Sequence, residues 1–282
     1  MDAPYDRLEM LEPGIARILA HNPSPYTFTG TQTYVVGEGE VVIVDPGPDL
    51  PGHVAAIVAA VSGRRVVAIA CTHTHRDHSP ASRALAAATR APIIGCAGLA
   101  VGSVGPGADA SFDFEYRPDR VLRDGEAIEV DGEAFTAIST PGHTSNHLCF
   151  AYRGALFSGD HVMGWSTTVV VPPDGDMGAY MASLDKLRGR DERIFYPAHG
   201  AAVTRPQQLL RGMIGHRMQR ERQILKRLGV GDRTIDEIVA AAYPGLDPRL
   251  VPGAGGSVTA HLLDLVRRGL VVRSREDIWT TA

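Results

Sequence analysis

Short apolar runs rich in β-branched residues, set off by turn residues, dominate the first two-thirds of the chain. The segment 31–47, TQTYVVGEGEVVIVDPG, carries two such runs around a turn near Gly37–Gly39, which predicts a β-hairpin. VVAIACT at 66–72 is apolar without alternation, as expected of a strand covered on both faces. The segment that follows at 79–90, SPASRALAAATR, predicts a helix: Ser79 can serve as N-cap, Pro80 suits the first helical position, and the alanines favour helix. Further strands are expected at 91–95, 135–140, 148–152 and 155–160, the last two joined by a turn at Arg153–Gly154. Strands alternating with helices in this way predict an α/β architecture whose sheets are buried by helices.

The texture changes near residue 203. From Arg205 to Leu228 the apolar residues Leu210, Ile214, Met218, Leu225 and Leu228 recur at spacings of three, four or seven, which predicts a helix interrupted by Gly212 and Gly215. A short helix at 234–243, a Pro/Gly-rich loop at 244–256, a helix at 257–269 and two strand-like pieces, LVVRS and DIWTT, complete the chain. Helix, loop, helix and small hairpin is the outline of a winged helix. Two domains are therefore expected: 1–204, and 205–282 as connecting helix plus winged helix.

Composition narrows the class. Of the 282 residues, 44% are hydrophobic and 21% charged, which suits a globular chain with a filled core and excludes disorder or a disulfide scaffold. The longest apolar runs are strand-sized, far short of the roughly 20 residues of a membrane span, so no membrane partner is expected. The N-terminus MDAPYDRLEM lacks the basic and apolar regions of a signal peptide, and Cys71, Cys96 and Cys149 are scattered near strands as buried small hydrophobes. Both features predict a cytoplasmic protein. The net charge of −4 divides unevenly: residues 1–182 hold 11 Lys+Arg against 21 Asp+Glu, and residues 183–282 hold 17 against 11. The run from Arg205 to Arg227 carries seven Lys+Arg and one acid, Glu221. It reads either as a solvated helix face or as a phosphate-contacting one, with His216 and Arg217 best placed for the second role.

The candidate chemistry is concentrated in CTHTHRDHSP at 71–80. Residues two apart in extended backbone project to one side, so His73 and His75 can grip one ion. Asp77 and His78, in the turn that enters the helix, can aim at a second. Imidazole and carboxylate ligands suit zinc and, less selectively, iron or manganese. His143 in TPGHTSNH, Asp160 in FSGDH and His199 in YPAHG likewise follow strands, at the carboxyl edge where α/β sheets place their sites. The two oxygens of Asp160 suit a bridge between two ions. His147 reads as the opening of the next strand rather than a ligand, and His161 is ambiguous. Trp165, Ser166, Thr167, Thr168 and Tyr180 lie just beyond these motifs and either line a substrate cleft or pack internally.

HTHRDH, PGHT, SGD and AHG together resemble the five-motif signature of the metallo-β-lactamase superfamily. The resemblance implies an αβ/βα sandwich with a dinuclear site: His73, His75 and His143 on one metal, Asp77, His78 and His199 on the other, and Asp160 bridging. It also implies a hydrolase in which a hydroxide bridging two zinc ions attacks a carbonyl or phosphorus, with Asp77 as catalytic residue orienting it and handling its proton. THTHRDHS, TPGHTSNH, FSGDHVMGWSTTVV, GAYMASLDKL, YPAHG and HRMQRERQIL are similar to the β-lactamase-like protein 2 family, which has a C-terminal winged helix and includes a single-strand-specific endoribonuclease. Gln32 departs from the asparagine usual in those relatives. Asp160, where true β-lactamases usually have Cys, argues against antibiotic hydrolysis, and His75, where flavodiiron oxidases have Glu, argues against that branch. The expected function is a zinc-dependent hydrolase of single-stranded RNA. A thioester or lactone hydrolase, resembling hydroxyacylglutathione hydrolases and acting on a small ester or thioester, is the alternative. A non-enzymatic nucleic-acid-binding protein is a third reading. Winged helices also serve as dimer modules, so a homodimer is open.

Overall fold

The computed structural model describes residues 4–99 and 111–282. The chain clusters into two compact units, one comprising residues up to 140, 146–166 and 191–206, the other 141–145, 167–190 and 207–282.

The first unit is built on two sheets. Strands β1 (Leu8–Glu12), β2 (Ile15–Leu19), β3 (Gln32–Val36), β4 (Glu40–Val44), β5 (Arg65–Cys71), β6 (Ile93–Gly95) and β7 (Arg120–Val121) form a seven-stranded sheet in sequence order. β1 to β4 run antiparallel, and β3–β4 is the expected hairpin, with Tyr34 opposite Val44. Its turn requires glycine at position 37: φ is +110°, and a Cβ there would sit 2.0 Å from the Glu40 carbonyl oxygen. From β4 to β7 the pairing is parallel. Parallel neighbours need crossovers, and α1 (Pro51–Ala60) and α2 (Ala81–Thr89) supply the first two. The second sheet contains β8 (Ala127–Val130), β9 (Glu133–Ser139), β10 (Leu148–Tyr152), β11 (Ala155–Gly159) and β12 (Ile194–Pro197), in the order β12-β11-β10-β9-β8.

Strand periodicity divides the core. Tyr34, Val36, Val42, Val44, Ala68 and Ala70 face one cluster with Phe135, Phe150, Phe157 and Tyr196 of the second sheet. The alternate residues Val35, Val41, Ile43 and Ile69 pack with Ile57 of α1 and Leu85 of α2. β5 is thus covered on both faces, as its unbroken apolar run predicts. The expected Ser79 N-cap is absent. Pro80 occupies the cap position without a side-chain hydrogen bond, and Ser79 Oγ donates instead to the buried carboxylate of Asp113 at 2.8 Å. An ionised acceptor is stronger than a backbone partner.

The second unit holds α3 (Met177–Arg188), α4 (Pro206–Val230), α5 (Ile235–Ala242), α6 (Val251–Arg267) and the hairpin of β13 (Val271–Arg273) and β14 (Trp279–Thr281). Ile224, Leu228, Ile238, Val258, Leu262, Leu265 and Trp279 form its core. The result is a winged-helix-like region following a mixed α/β sandwich. α4 continues through Gly212 and Gly215, where a Cβ would meet nothing. Each glycine costs about 1 kcal/mol of helix propensity, too little to break 25 residues anchored by this core. The Pro/Gly-rich stretch expected to be a loop to residue 256 is helical from Val251. Pro252 lies in the first turn, where its missing N–H is harmless, and a Cβ at Gly256 would sit 2.6 Å from Val171 Cγ2. Among the described residues, no helix is long and apolar enough to cross a membrane.

Candidate metal centre

Because β4 and β5 are parallel neighbours, their carboxyl ends present Asp45 and Thr72 side by side. Asp45 is 2% exposed and accepts hydrogen bonds from Thr72 N–H (2.8 Å), Thr72 Oγ1 (2.8 Å) and His78 Nδ1 (3.0 Å). Its φ of +47° places it in the left-handed region, which aspartate tolerates better than most residues. Sequence reasoning passed over Asp45, although its place in VVIVDPG, just past a strand end on the edge that carries the histidines, was the available signal.

The segment after β5 brings the motif histidines together. His73 Nε2 and His75 Nδ1 are 2.9 Å apart. His78 Nε2 lies 3.3 Å from Asp77 Oδ2 and 3.6 Å from Asp160 Oδ1, and His199 Nε2 lies 3.1 and 3.3 Å from the same two atoms. Two donor groups result. The ligand-capable atoms of His73, His75, His143 and Asp160 lie within 4.8 Å of one another, and those of Asp77, His78 and His199 do the same.

The donor set fits divalent metal ions. His78 Nδ1 donates to Asp45, His73 Nδ1 faces Thr72 Oγ1 at 3.0 Å, His199 Nδ1 faces the Gly30 carbonyl at 3.2 Å, and His143 Nδ1 faces the Val169 carbonyl at 2.6 Å. An oxygen acceptor behind one ring nitrogen fixes the tautomer and turns the other nitrogen's lone pair toward a metal. Burial pushes the Asp160 carboxyl up, but the charges and hydrogen bonds of His199 and His78 outweigh it and hold it well below the usual range. Burial acts on Asp77 in the same sense and is outweighed by His78 and His199. Against burial, the same contacts push the His78 imidazole well up and His199 up to about 10, so without a metal the site is a cluster of ion pairs, and metal binding would displace the histidine protons.

Residues 26–199 match the Metallo-beta-lactamase superfamily, and residues 234–279 match the Beta-lactamase associated winged helix domain. The chain belongs to the metallo-beta-lactamase superfamily. It is 32% identical over 257 residues to an atrochrysone carboxyl ACP thioesterase of Aspergillus chevalieri, covering 85% of this chain and 76% of that one. The thioesterase name recurs in further fungal relatives. A beta-lactamase-like protein 2 homolog of Caenorhabditis elegans is 33% identical over 241 residues, covering 78% of this chain and 73% of the relative. In structure, a metallo-beta-lactamase family protein of Thermus thermophilus superposes with a TM-score of 0.77 at 22% identity, over 97% of this chain and 100% of the other. Within this superfamily the two donor groups have the composition and spacing of a dinuclear metal-dependent hydrolase site.

Neighbouring residues brace the superfamily motifs. Gln32 Nε2 donates to the carbonyls of Pro197 (3.0 Å) and Gly200 (2.7 Å), pinning the turn that bears His199. The turn that bears His143 is gripped by α3: a Cβ at Gly142 would sit 2.3 Å from Tyr180 Cα, and Asp176 N–H donates to the Gly142 carbonyl at 2.8 Å. His147 is buried, bonds through Nδ1 to Thr140 Oγ1 at 2.8 Å and stands outside both donor groups. His161 is also buried and outside them.

Among the residues considered for substrate contact, Thr168, Tyr180 and Arg217 are buried and engaged with one another. The Arg217 guanidinium donates to the Thr168 carbonyl and lies 5.1 Å from the Tyr180 ring centroid. Thr167 is exposed, while Trp165, Ser166 and His216 are half-buried. Of the seven basic residues at 205–227, Arg220 donates to the Ala242 carbonyl and covers the Tyr243 ring, and Arg227 pairs with Asp232. With Arg217, three of the seven are thus committed within the fold.

Proposed function

We propose that the chain is a metal-dependent thioester hydrolase. The similarity to relatives named as ACP thioesterases, spanning 85% of this chain in the A. chevalieri case, carries the reading. The proposal reverses the order of the two hydrolase expectations. The ribonuclease reading rests on the likeness to the β-lactamase-like protein 2 family and on the basic C-terminal third, and three cations of the run at 205–227 are already occupied internally.

When bound, two metal ions supply a water nucleophile at neutral pH and neutralise charge developing on the attacked carbonyl. In this reading His73, His75, His143 and Asp160 would hold one ion, and Asp77, His78 and His199 would hold the other. Asp77 faces His78 and His199 and also accepts from Thr31 Oγ1 at 3.3 Å, contacts that fix the orientation of its carboxylate. Asp45 and Gln32 act behind the ligands by fixing their orientation.

The test is a side-by-side assay of metal-quantified protein on acyl thioesters, lactones and a labelled single-stranded RNA, with Asp160→Ala as control, at low and high salt. Thioester turnover that is lost in the variant and barely responds to salt is the expected result. RNA cleavage falling steeply with salt, without thioester turnover, returns the nuclease reading.

A further inference from the structure

The loop between β2 and β3 carries two large apolar side chains at the surface, Tyr26 (45% exposed) and Phe28 (50% exposed). Phe28 has a φ of +55°. A bulky residue in that region costs about 1–2 kcal/mol relative to the ordinary right-handed region, a cost that glycine would avoid. The loop is nevertheless tightly built. Asn22 Oδ1 accepts from Thr31 N–H at 2.9 Å, Ser24 Oγ accepts from Thr27 N–H at 3.0 Å, and Gly30 N–H donates to the Thr27 carbonyl at 2.9 Å. Half of the Phe28 ring is left in solvent on strained, hydrogen-bonded backbone, and such strain concentrates at ligand-contacting positions.

The ring has a partner and a location. It stacks on Trp165 with centroids 4.9 Å apart and planes 26° from parallel. Trp165 in turn packs on Gly200, where a Cβ would sit 2.6 Å from Trp165 Cδ1. Gly200 immediately follows His199. The same loop reaches the second donor group twice more, through the Gly30 carbonyl on His199 and through Thr31 Oγ1 on Asp77. The aromatic pair is therefore linked to the group Asp77–His78–His199 through Gly30, Thr31 and Gly200.

We propose that Phe28 and Trp165 form an apolar ledge at the rim of the metal centre that receives the acyl group of the thioester and selects planar, aromatic acyl groups over linear ones. The inference rests on the thioesterase reading for its substrate and adds the determinant of acyl specificity. A flat stacked pair rewards a third ring by offset stacking or edge contact, a gain a flexible alkyl chain does not share.

The test compares benzoyl and hexanoyl N-acetylcysteamine thioesters on metal-loaded wild type, Phe28→Ala, Phe28→Gly and Phe28→Tyr. Loss of one aromatic contact raises KM for the benzoyl substrate about 3- to 10-fold. The hexanoyl KM and both kcat values change far less, and Phe28→Tyr restores the benzoyl KM. Phe28→Gly melts at or above the wild-type temperature, which separates the loss from unfolding. Equal effects on the two substrates, or none, overturn the proposal. A second readout is independent of turnover: 2-naphthoate titrated into the protein quenches tryptophan fluorescence, and the quench is lost in Phe28→Ala. If wild type hydrolyses neither thioester, the proposed activity falls, while the titration still decides the ledge: absence of naphthoate binding, or binding indifferent to Phe28→Ala, overturns it.

Discussion

Replacing Asp45 with asparagine isolates the contribution of one residue that touches no substrate. The carboxylate accepts three buried hydrogen bonds, two from Thr72 and one from His78 Nδ1. An asparagine retains one acceptor oxygen. With its NH2 at the Oδ1 position, the buried Thr72 N–H loses its partner at a cost of about 1–3 kcal/mol. With its NH2 at the Oδ2 position, which faces both Thr72 Oγ1 and His78 Nδ1, the imidazole must present Nδ1 as acceptor and carry its proton on Nε2, the nitrogen that faces Asp77 and Asp160. A ring protonated there cannot ligate. In either orientation a neutral amide replaces the charged acceptor behind His78. Removing the outer partner of a ligating histidine typically costs about 10- to 100-fold in metal affinity, or roughly 1.4–2.8 kcal/mol. The assay is zinc competition against a chromophoric chelator, paired with urea unfolding of the chelated protein. The variant is expected to bind one of its two ions at least tenfold more weakly. Two ions bound with affinities within a factor of two of wild type would refute the reasoning.

Other perturbations probe different links. Asp77→Ala and Asp160→Ala are each expected to abolish turnover, and full activity with full metal content in either variant removes that residue from the site. Gly159 has a φ of +50°, and a Cβ there would sit 2.7 Å from His147 Nε2 and 2.8 Å from Thr72 Oγ1. Gly159→Ala is therefore expected to cost about 2–5 kcal/mol from strain and overpacking together, and an unchanged urea midpoint would contradict it. Asp176 caps α3 by accepting from Ala179 N–H at 2.9 Å and pairs with Arg267, whose hydrogen bond holds the Asp176 carboxyl below its usual range. A depressed carboxylate stabilises the fold above its unfolded pKa, and that contribution disappears as pH falls through the folded value. Asp176→Ala should thus cost about 1 kcal/mol at pH 7, and the gap in melting temperature should close toward acid; a gap constant down to pH 2 would exclude this origin.

Elements stood out in the sequence where one local rule operated without competition. The β3–β4 hairpin followed from two apolar runs and a glycine turn, and the covered strand β5 followed from an unbroken apolar run. The boundary of α6 was misplaced because glycines and a proline lower local helix propensity, whereas packing of Gly256 against Val171 decides the matter. The Ser79 cap failed for a similar reason: the competing acceptor, Asp113, is 34 residues away in sequence. Asp45 and Phe28 carried only faint local signals, because their significance lies in what they touch.

The sequence by itself determined the donor chemistry of this protein. Four ligand-capable side chains within six residues, followed by His143, Asp160 and His199 after later strands, define the residue types available to a metal without reference to any fold. Strand and helix periodicity determined the α/β class in the same local way. Only the tertiary structure decided which nitrogen of His78, His199 and His143 points into the donor groups, since that depends on Asp45, Gly30 and Val169, residues distant in the chain. It also decided that Arg217, Arg220 and Arg227 are engaged internally, and that Phe28 meets Trp165 beside His199. The physical reason is range. Propensity and spacing act over a few residues, whereas hydrogen-bond partners and aromatic contacts are set by which strand ends and loops the folded sheets bring together.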